Sequence, residues 1–205
     1  DGGSTTATGN LSLSATSDVD VTALANSDAS DTDASVNAAF ALSVIKSTAI
    51  AKITGNSLTT GAATFSVGGL LDLSALNSVD VTTTANGASG GSTVAGGSVA
   101  LSFVTSTTEA SISGDVIKGS QTPTGIDVEA RSTTKVVTNS AAAPAGASDN
   151  GSDVEGQLSS FGASTSGGGV SLSASVALND VTSDTQAFVD SNSAITTSGA
   201  LSVVS

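Results

Sequence analysis

The sequence predicts an all-β protein, a parallel β-helix (β-solenoid) of about three 60-residue units. Three observations predict it. Long segments recur with aligned residues. Apolar residues alternate with polar ones at period two. The apolar content is nearly all small and aliphatic. Hydrophobic residues make up 38% of the 205-residue chain but aromatics only 2%, with five Phe and no Trp, Tyr, Met, Cys or His. Ser and Thr supply roughly a third of the chain, well above ordinary usage. Ala and Val side chains make a thin core, suited to closely approaching sheets rather than a wide interior.

The repeats set the organisation. Leu11–Asn26 (LSLSATSDVDVTALAN) lies over Leu71–Asn86 (LDLSALNSVDVTTTAN), matching Leu11/Leu71, Leu13/Leu73, Val19/Val79, Asp20/Asp80 and Asn26/Asn86. A third copy opens at Ile126-Asp-Val128, and a fourth begins at Leu201-Ser-Val203. The second half of the unit recurs as Ala41–Asn56, Ala100–Asp115 and Ala177–Asn192. The units are therefore 11–70, 71–125 and 126–200, a single array with the next unit starting at 201. Between the halves sit Ser27–Ser35, Gly87–Gly97 and the longer Ser140–Gly169, which reads as an extended loop insertion. Such periodicity means stacked units, each covering its neighbour's apolar face.

Strands follow from the alternation at Leu11/Leu13/Ala15, Val19/Val21/Ala23/Ala25, Val36/Ala38, Leu42/Val44, Ala51/Ile53, Phe65/Val67 and Leu71/Leu73. Gly and Asn punctuate them at Gly55-Asn56, Gly61 and Gly68-Gly69. The alignment fixes the faces. Ala51/Ala110/Ala187 and Ile53/Ile112/Val189 point inward, as do Leu73 and Val81. Ile50 aligns with Glu109 and Gln186, so it points outward. Phe188 aligns with Lys52 and Ser111 and is exposed or lies under a loop. Roughly six short strands per unit suggest two coils of roughly 30 residues each, although one long coil per unit fits the alignment equally well. The rival architecture is an elongated antiparallel β-sandwich, with Val19–Ala25 and Val36–Val44 as hairpin arms.

Composition excludes much chemistry. Without His or Cys there is no zinc finger, haem or iron–sulfur site and no His-dependent nucleophile. Five Lys and Arg against 18 Asp and Glu give a net charge of −13, which repels nucleic acid and anionic membranes. No uninterrupted apolar stretch is long enough for a membrane-spanning helix, so no membrane insertion is expected. The chain starts Asp1-Gly2-Gly3 and has no Met, which suggests a processed product or part of something larger.

With these segments in view, a resemblance emerges. LSLSATSDVDVTALAN, followed by a Gly/Ser loop and ALSVIKSTAIAKITGN, resembles the repeat regions of giant bacterial secreted adhesins, the filamentous-haemagglutinin-like repeat exoproteins. The resemblance covers nearly all of the chain and is compositional and periodic. It implies a β-solenoid stalk or fibre, secreted to the cell surface or the extracellular space, and carries no catalytic residues over. The long segment Ser140–Gly169 departs from it.

Carboxylates are the only reactive groups in number. Asp20 recurs as Asp80 but becomes Lys135 in the third copy, as expected of a solubilising outward position. No enzyme and no required cofactor are expected. Calcium is the better chemical candidate, because Asn26, Asp28, Asp31 and Asp33 fall in one acidic stretch, NSDASDTD, that can supply several oxygen ligands. The stretch matches neither EF-hand nor β-roll spacing. A weaker cluster is Asp149, Asp153 and Glu155. Thr22/Thr82 and Thr48/Thr107 align as ranks, but Asp184 interrupts the second.

The expected function is structural: an extracellular repeat segment of a bacterial surface fibre, matrix protein or adhesin. Its expected partners are neighbouring repeats or further copies along the fibre axis, and surface carbohydrate. A carbohydrate-binding or carbohydrate-cleaving β-helix is the alternative. A stalk would disperse its acids over every face, whereas an enzyme would converge them with cations in a groove.

Overall fold

The computed structural model describes residues 5–30, 33–54, 65–90, 93–113, 121–143, 171–190, 193 and 195–205. Within them the strands are β1 (Thr5–Ala7), β2 (Leu11–Ser30), β3 (Ala34–Thr54), β4 (Phe65–Val67), β5 (Leu70–Gly90), β6 (Thr93–Ser113), β7 (Gly125–Ala143), β8 (Ser171–Val189) and β9 (Leu201–Val204). No described residue is helical.

Every pairing is parallel. One sheet has the order β2-β5-β7-β9, the second β3-β6-β8, and the third is the short pair β1-β4. Consecutive long strands, such as β2 and β3, lie in different sheets and face each other across a core. The chain is a flattened parallel β-solenoid. The repeat alignment is the ladder register: Leu11 pairs Leu71, which pairs Ile126, which pairs Leu201. Likewise Ala51, Ala110 and Ala187 are stacked partners.

Two expectations are corrected. Each unit is one long coil, not two coils of about 30 residues, because strands of 20 and 21 residues run where several short ones were expected. Inward Ser, Thr and Asn read as interruptions in the sequence, yet they keep the period and continue the strand. Where they are described, the segments between the halves are also mostly strand: Ser27–Ser30 belong to β2, Gly87–Gly90 to β5 and Ser140–Ala143 to β7. Residues 144–170 lie outside the described residues. The hairpin rival falls with the parallel register.

The inward faces hold three apolar clusters. The first gathers Ile53, Leu71, Leu73, Ile112, Ile126 and Val128. The second is Val79, Val81 and Val104, and the third is Ala39, Ala41, Ala85 and Ala100. Burying each large side chain contributes about 1.5–3 kcal/mol. Polar ranks separate the clusters and zigzag from sheet to sheet up the stack. In one, the Ser17 and Ser47 hydroxyls bond at 2.8 Å, Ser47 donates to Asn77 Oδ1 at 2.6 Å, and Asn77 Nδ2 donates to Ser106 Oγ at 2.9 Å. In the other, Thr83 Oγ1 meets Ser43 at 2.7 Å and Ser102 at 2.8 Å, and Ser102 meets Thr138 at 2.6 Å. Direct bonds between such short side chains cannot span the ~10 Å of an ordinary sheet sandwich, so the sheets approach closely. That spacing is why Ala, Ser and Val fill the interior.

The corner leading into β5 and β9 is tight backbone. Gly69 N donates to Gly9 O at 3.0 Å, and Leu70 N to Asn10 Oδ1 at 2.9 Å. A Cβ on Gly69 would lie 2.7 Å from Asn10 N, and one on Gly199 would overlap Thr124 O. At these two positions any Cβ would collide with backbone of the adjacent coil, so glycine is what fits.

The inward assignments hold for Ala51, Ile53, Leu73, Val81, Ala110 and Ile112, all buried. Ala187 and Val189 are only partly covered, because among the described residues β8 has a ladder neighbour on one side alone. Ile50 is exposed, as expected, and Phe188 is intermediate.

Candidate functional site

Three surfaces offer chemistry: the outer faces of the two large sheets and the open ladder edges. All charged residues of the long strands project outward. The outer face of β2, β5 and β7 carries seven carboxylates, Asp18, Asp20, Asp28, Asp72, Asp80, Asp127 and Glu129, against Arg131 and Lys135. Stacking places Asp72 beside Asp127 in the ladder. Elsewhere opposite charges meet: Lys135 Nζ lies 2.9 Å from Asp80 Oδ2, and Arg131 pairs with Glu129. The change from Asp20 and Asp80 to Lys135 thus turns a like-charge column into a neutralised one. Ser12 Oγ donates to Asp72 Oδ2 at 3.0 Å.

The outer face of β3, β6 and β8 is different. Its even positions in β3 and their partners form four ranks: Val36/Ala95/Leu172, Ala38/Gly97/Ala174, Phe40/Val99/Val176 and Leu42/Leu101/Leu178. None of these twelve residues is polar. Val36 is 81% and Phe40 59% exposed. The rank of Ala38, Gly97 and Ala174 is the floor of an apolar depression of about 330 Å³, walled on one side by Phe40, Val99 and Val176. Charge returns only beyond it, at Asp180, Lys46, Lys52, Glu109 and Asp184. Lys52 Nζ lies 3.7 Å from Glu109 Oε1.

This face corrects the expectation that acids cover every side. Its signal was present in the sequence, since Ala51 and Ile53 inward, carried back in unbroken alternation, put Val36, Ala38, Phe40, Leu42 and Val44 outward. Dividing the segment into short strands hid that parity. The preference for placing the larger residues inside hid it further.

Of the calcium candidates, Asp28 lies in β2, exposed and outward, and Asp33 is exposed just before β3. Asp31 lies outside the described residues, as do Asp149, Asp153 and Glu155. Among the described residues no three acidic side chains come together in a way that could hold a metal ion. The aligned threonines are ladder partners, Thr22 with Thr82 and Thr48 with Thr107, and Asp184 follows Thr107.

The ladder edges are the third surface. Among the described residues, β2 and β3 at one end, and β8 and β9 at the other, each have a single ladder neighbour. Leu11 and Leu13 are half-buried where their stacked partners Leu71 and Leu73 are completely buried. At the opposite edge the inward positions Val181 and Val203 remain 45% and 42% exposed. Comparison of the chain with protein-family models, curated proteins and solved structures finds no match.

Proposed function

We propose that this chain is a structural and adhesive repeat segment of an extracellular bacterial surface fibre, matrix protein or adhesin, and that it assembles end to end by strand pairing. The ladder edges left open among the described residues carry this reading, the next coil being a neighbouring repeat of a longer chain or a further copy. A coil edge presents unpaired N–H and C=O groups beside half-covered apolar side chains, and the best partner for it is another coil at about 4.8 Å. Along β8, and along the part of β7 that β9 leaves uncovered, the last coil offers the first the same inward ranks that consecutive coils share. Head-to-tail contact of this kind does not close, so it generates filaments. The repeat sequences that resemble secreted adhesin stalks support the extracellular assignment. The acidic outer face of β2, β5 and β7 supports a fibre side that repels its like.

The test is electron microscopy and fibre diffraction of the concentrated chain, beside a Val181→Glu/Val203→Glu variant that places charge on one edge only. The parent is expected to form unbranched filaments with a spacing of about 4.8 Å along their length. The variant is expected to stay short with an unchanged far-UV spectrum. A parent that never stacks, or a variant that stacks equally well, defeats the proposal.

A further inference from the structure

The outer face of β3, β6 and β8 has no part in end-to-end stacking, and folding does not require it to be apolar. We propose that it is a lateral interface on which a second copy of this chain docks face to face, related by a two-fold axis parallel to the stacking axis.

Three observations select the second copy as occupant. The first is shape. The Ala38/Gly97/Ala174 rank is a groove along the stack, and the adjacent Phe40/Val99/Val176 rank is a ridge. A two-fold axis over the intervening Ala39/Ser98/Ser175 rank exchanges ridge with groove. It also sets Leu42/Leu101/Leu178 against Val36/Ala95/Leu172. An axis along the strands would instead set ridge on ridge. The structure thus distinguishes the two ways of pairing the faces and favours parallel stacks with reversed strands. Rotation about the stacking axis preserves height, so each coil meets the same coil of the second copy.

The second observation is charge. A chain of net charge −13 resists its own copies over most of its surface. The twelve exchanged positions carry no charge, and the nearest carboxylate on this face among the described residues, Asp180, lies in the next rank with Phe103. The third is area. With ~150–200 Å² for a fully exposed Val, Leu or Phe, the fractional exposures of Val36, Phe40, Leu42, Leu172, Val176 and Leu178 leave about 500–700 Å² uncovered per copy. That is at or above the top of the range for the largest patch of a typical monomer, roughly 300–600 Å². Two copies would bury at most about 1,400 Å², near the lower bound for a specific interface, so pairing is expected near the micromolar range. Each added coil widens the patch by one strand, so affinity rises with array length.

The experiment uses the Val181→Glu/Val203→Glu background, so that lateral pairing is read apart from end-to-end stacking. Sedimentation at ~0.1 mM is expected to show a dimer, this being about a hundredfold above a micromolar Kd. Phe40→Glu/Val176→Glu places two charges on the ridge and is expected to weaken association at least roughly a hundredfold, with an unchanged far-UV spectrum. Gly97→Leu is expected to do the same by filling the groove, since its Cβ meets nothing of its own chain closer than Asn37 O at 4.0 Å. The chain has no Cys, so engineered thiols report cleanly. An equimolar mixture of Ala174→Cys and Val176→Cys chains is expected to form disulfide-linked dimers far faster than either alone. A monomer at ~0.1 mM overturns the proposal, as does a dimer that survives Phe40→Glu/Val176→Glu. A monomer that binds phosphatidylcholine vesicles or insoluble polysaccharide through this face assigns it to those partners and equally overturns it.

Discussion

The β2-β5-β7-β9 sheet and the β3-β6-β8 sheet share one interior and the same kind of inward residue, yet differ in what they turn outward. One presents seven carboxylates and two cations, the other four successive ranks without a polar side chain. The interior is indifferent to this, because the hydrogen-bond ladders and the inward ranks already specify the fold. The outer composition of each face is therefore free to serve something else. An acidic face keeps neighbours off, and an apolar face of this area invites one.

The strongest way to break this comparison is to show that the outer faces hold the fold after all. Ile112 and Ile50 lie in neighbouring strands of the same sheet on opposite faces, one fully buried and one exposed. Ile112→Asp is expected to cost at least 4 kcal/mol and to unfold the stack around it, because a buried carboxylate has no partner there. Ile50→Asp is expected to change stability by no more than ~0.5 kcal/mol. Thermal melts of the two variants test both values, and similar losses would mean that the faces are not independent. A smaller effect sharpens what the interior contributes. Asn77 links Ser47 and Ser106 and also donates to Thr107 O at 3.3 Å. Asn77→Ala is expected to cost about 2–3 kcal/mol by leaving these buried groups unpaired, measured by denaturant unfolding. The smallest effect belongs to the acidic face. Lys135→Ala removes the exposed pair with Asp80 and is expected to cost under about 1 kcal/mol, a difference that fades as salt is raised.

Much of this architecture was legible in the sequence. Matching residues such as Leu11 and Leu71, or Ala100 and Ala177, predicted the ladder partners one by one, because stacked positions share an environment. Coil length was not legible, since a buried Ser47 or Thr83 looks like a strand end until its partner across the core is known. The apolar outer face was missed for a related reason. Hydrophobicity ranks Phe40 and Leu42 as interior and Ala39 and Ala41 as filler, but the close approach of the sheets inverts that order. The calcium stretch could not be resolved from composition either, because strand alternation sends Asp28 out along a sheet face.

The ladder register has a consequence in time. Leu11 meets Leu71, and Ala34 meets Thr93, so a stacking contact forms only after a full circuit of chain. Closing a loop of that length costs about 3–4 kcal/mol of entropy before any reward arrives. The first circuit has nothing to lie on, whereas each later one settles on a finished surface that dictates its register. Folding then has the character of crystal growth, with a slow nucleus and fast, directional addition. A preformed coil added to unfolded chain should abolish the lag, as a seed does.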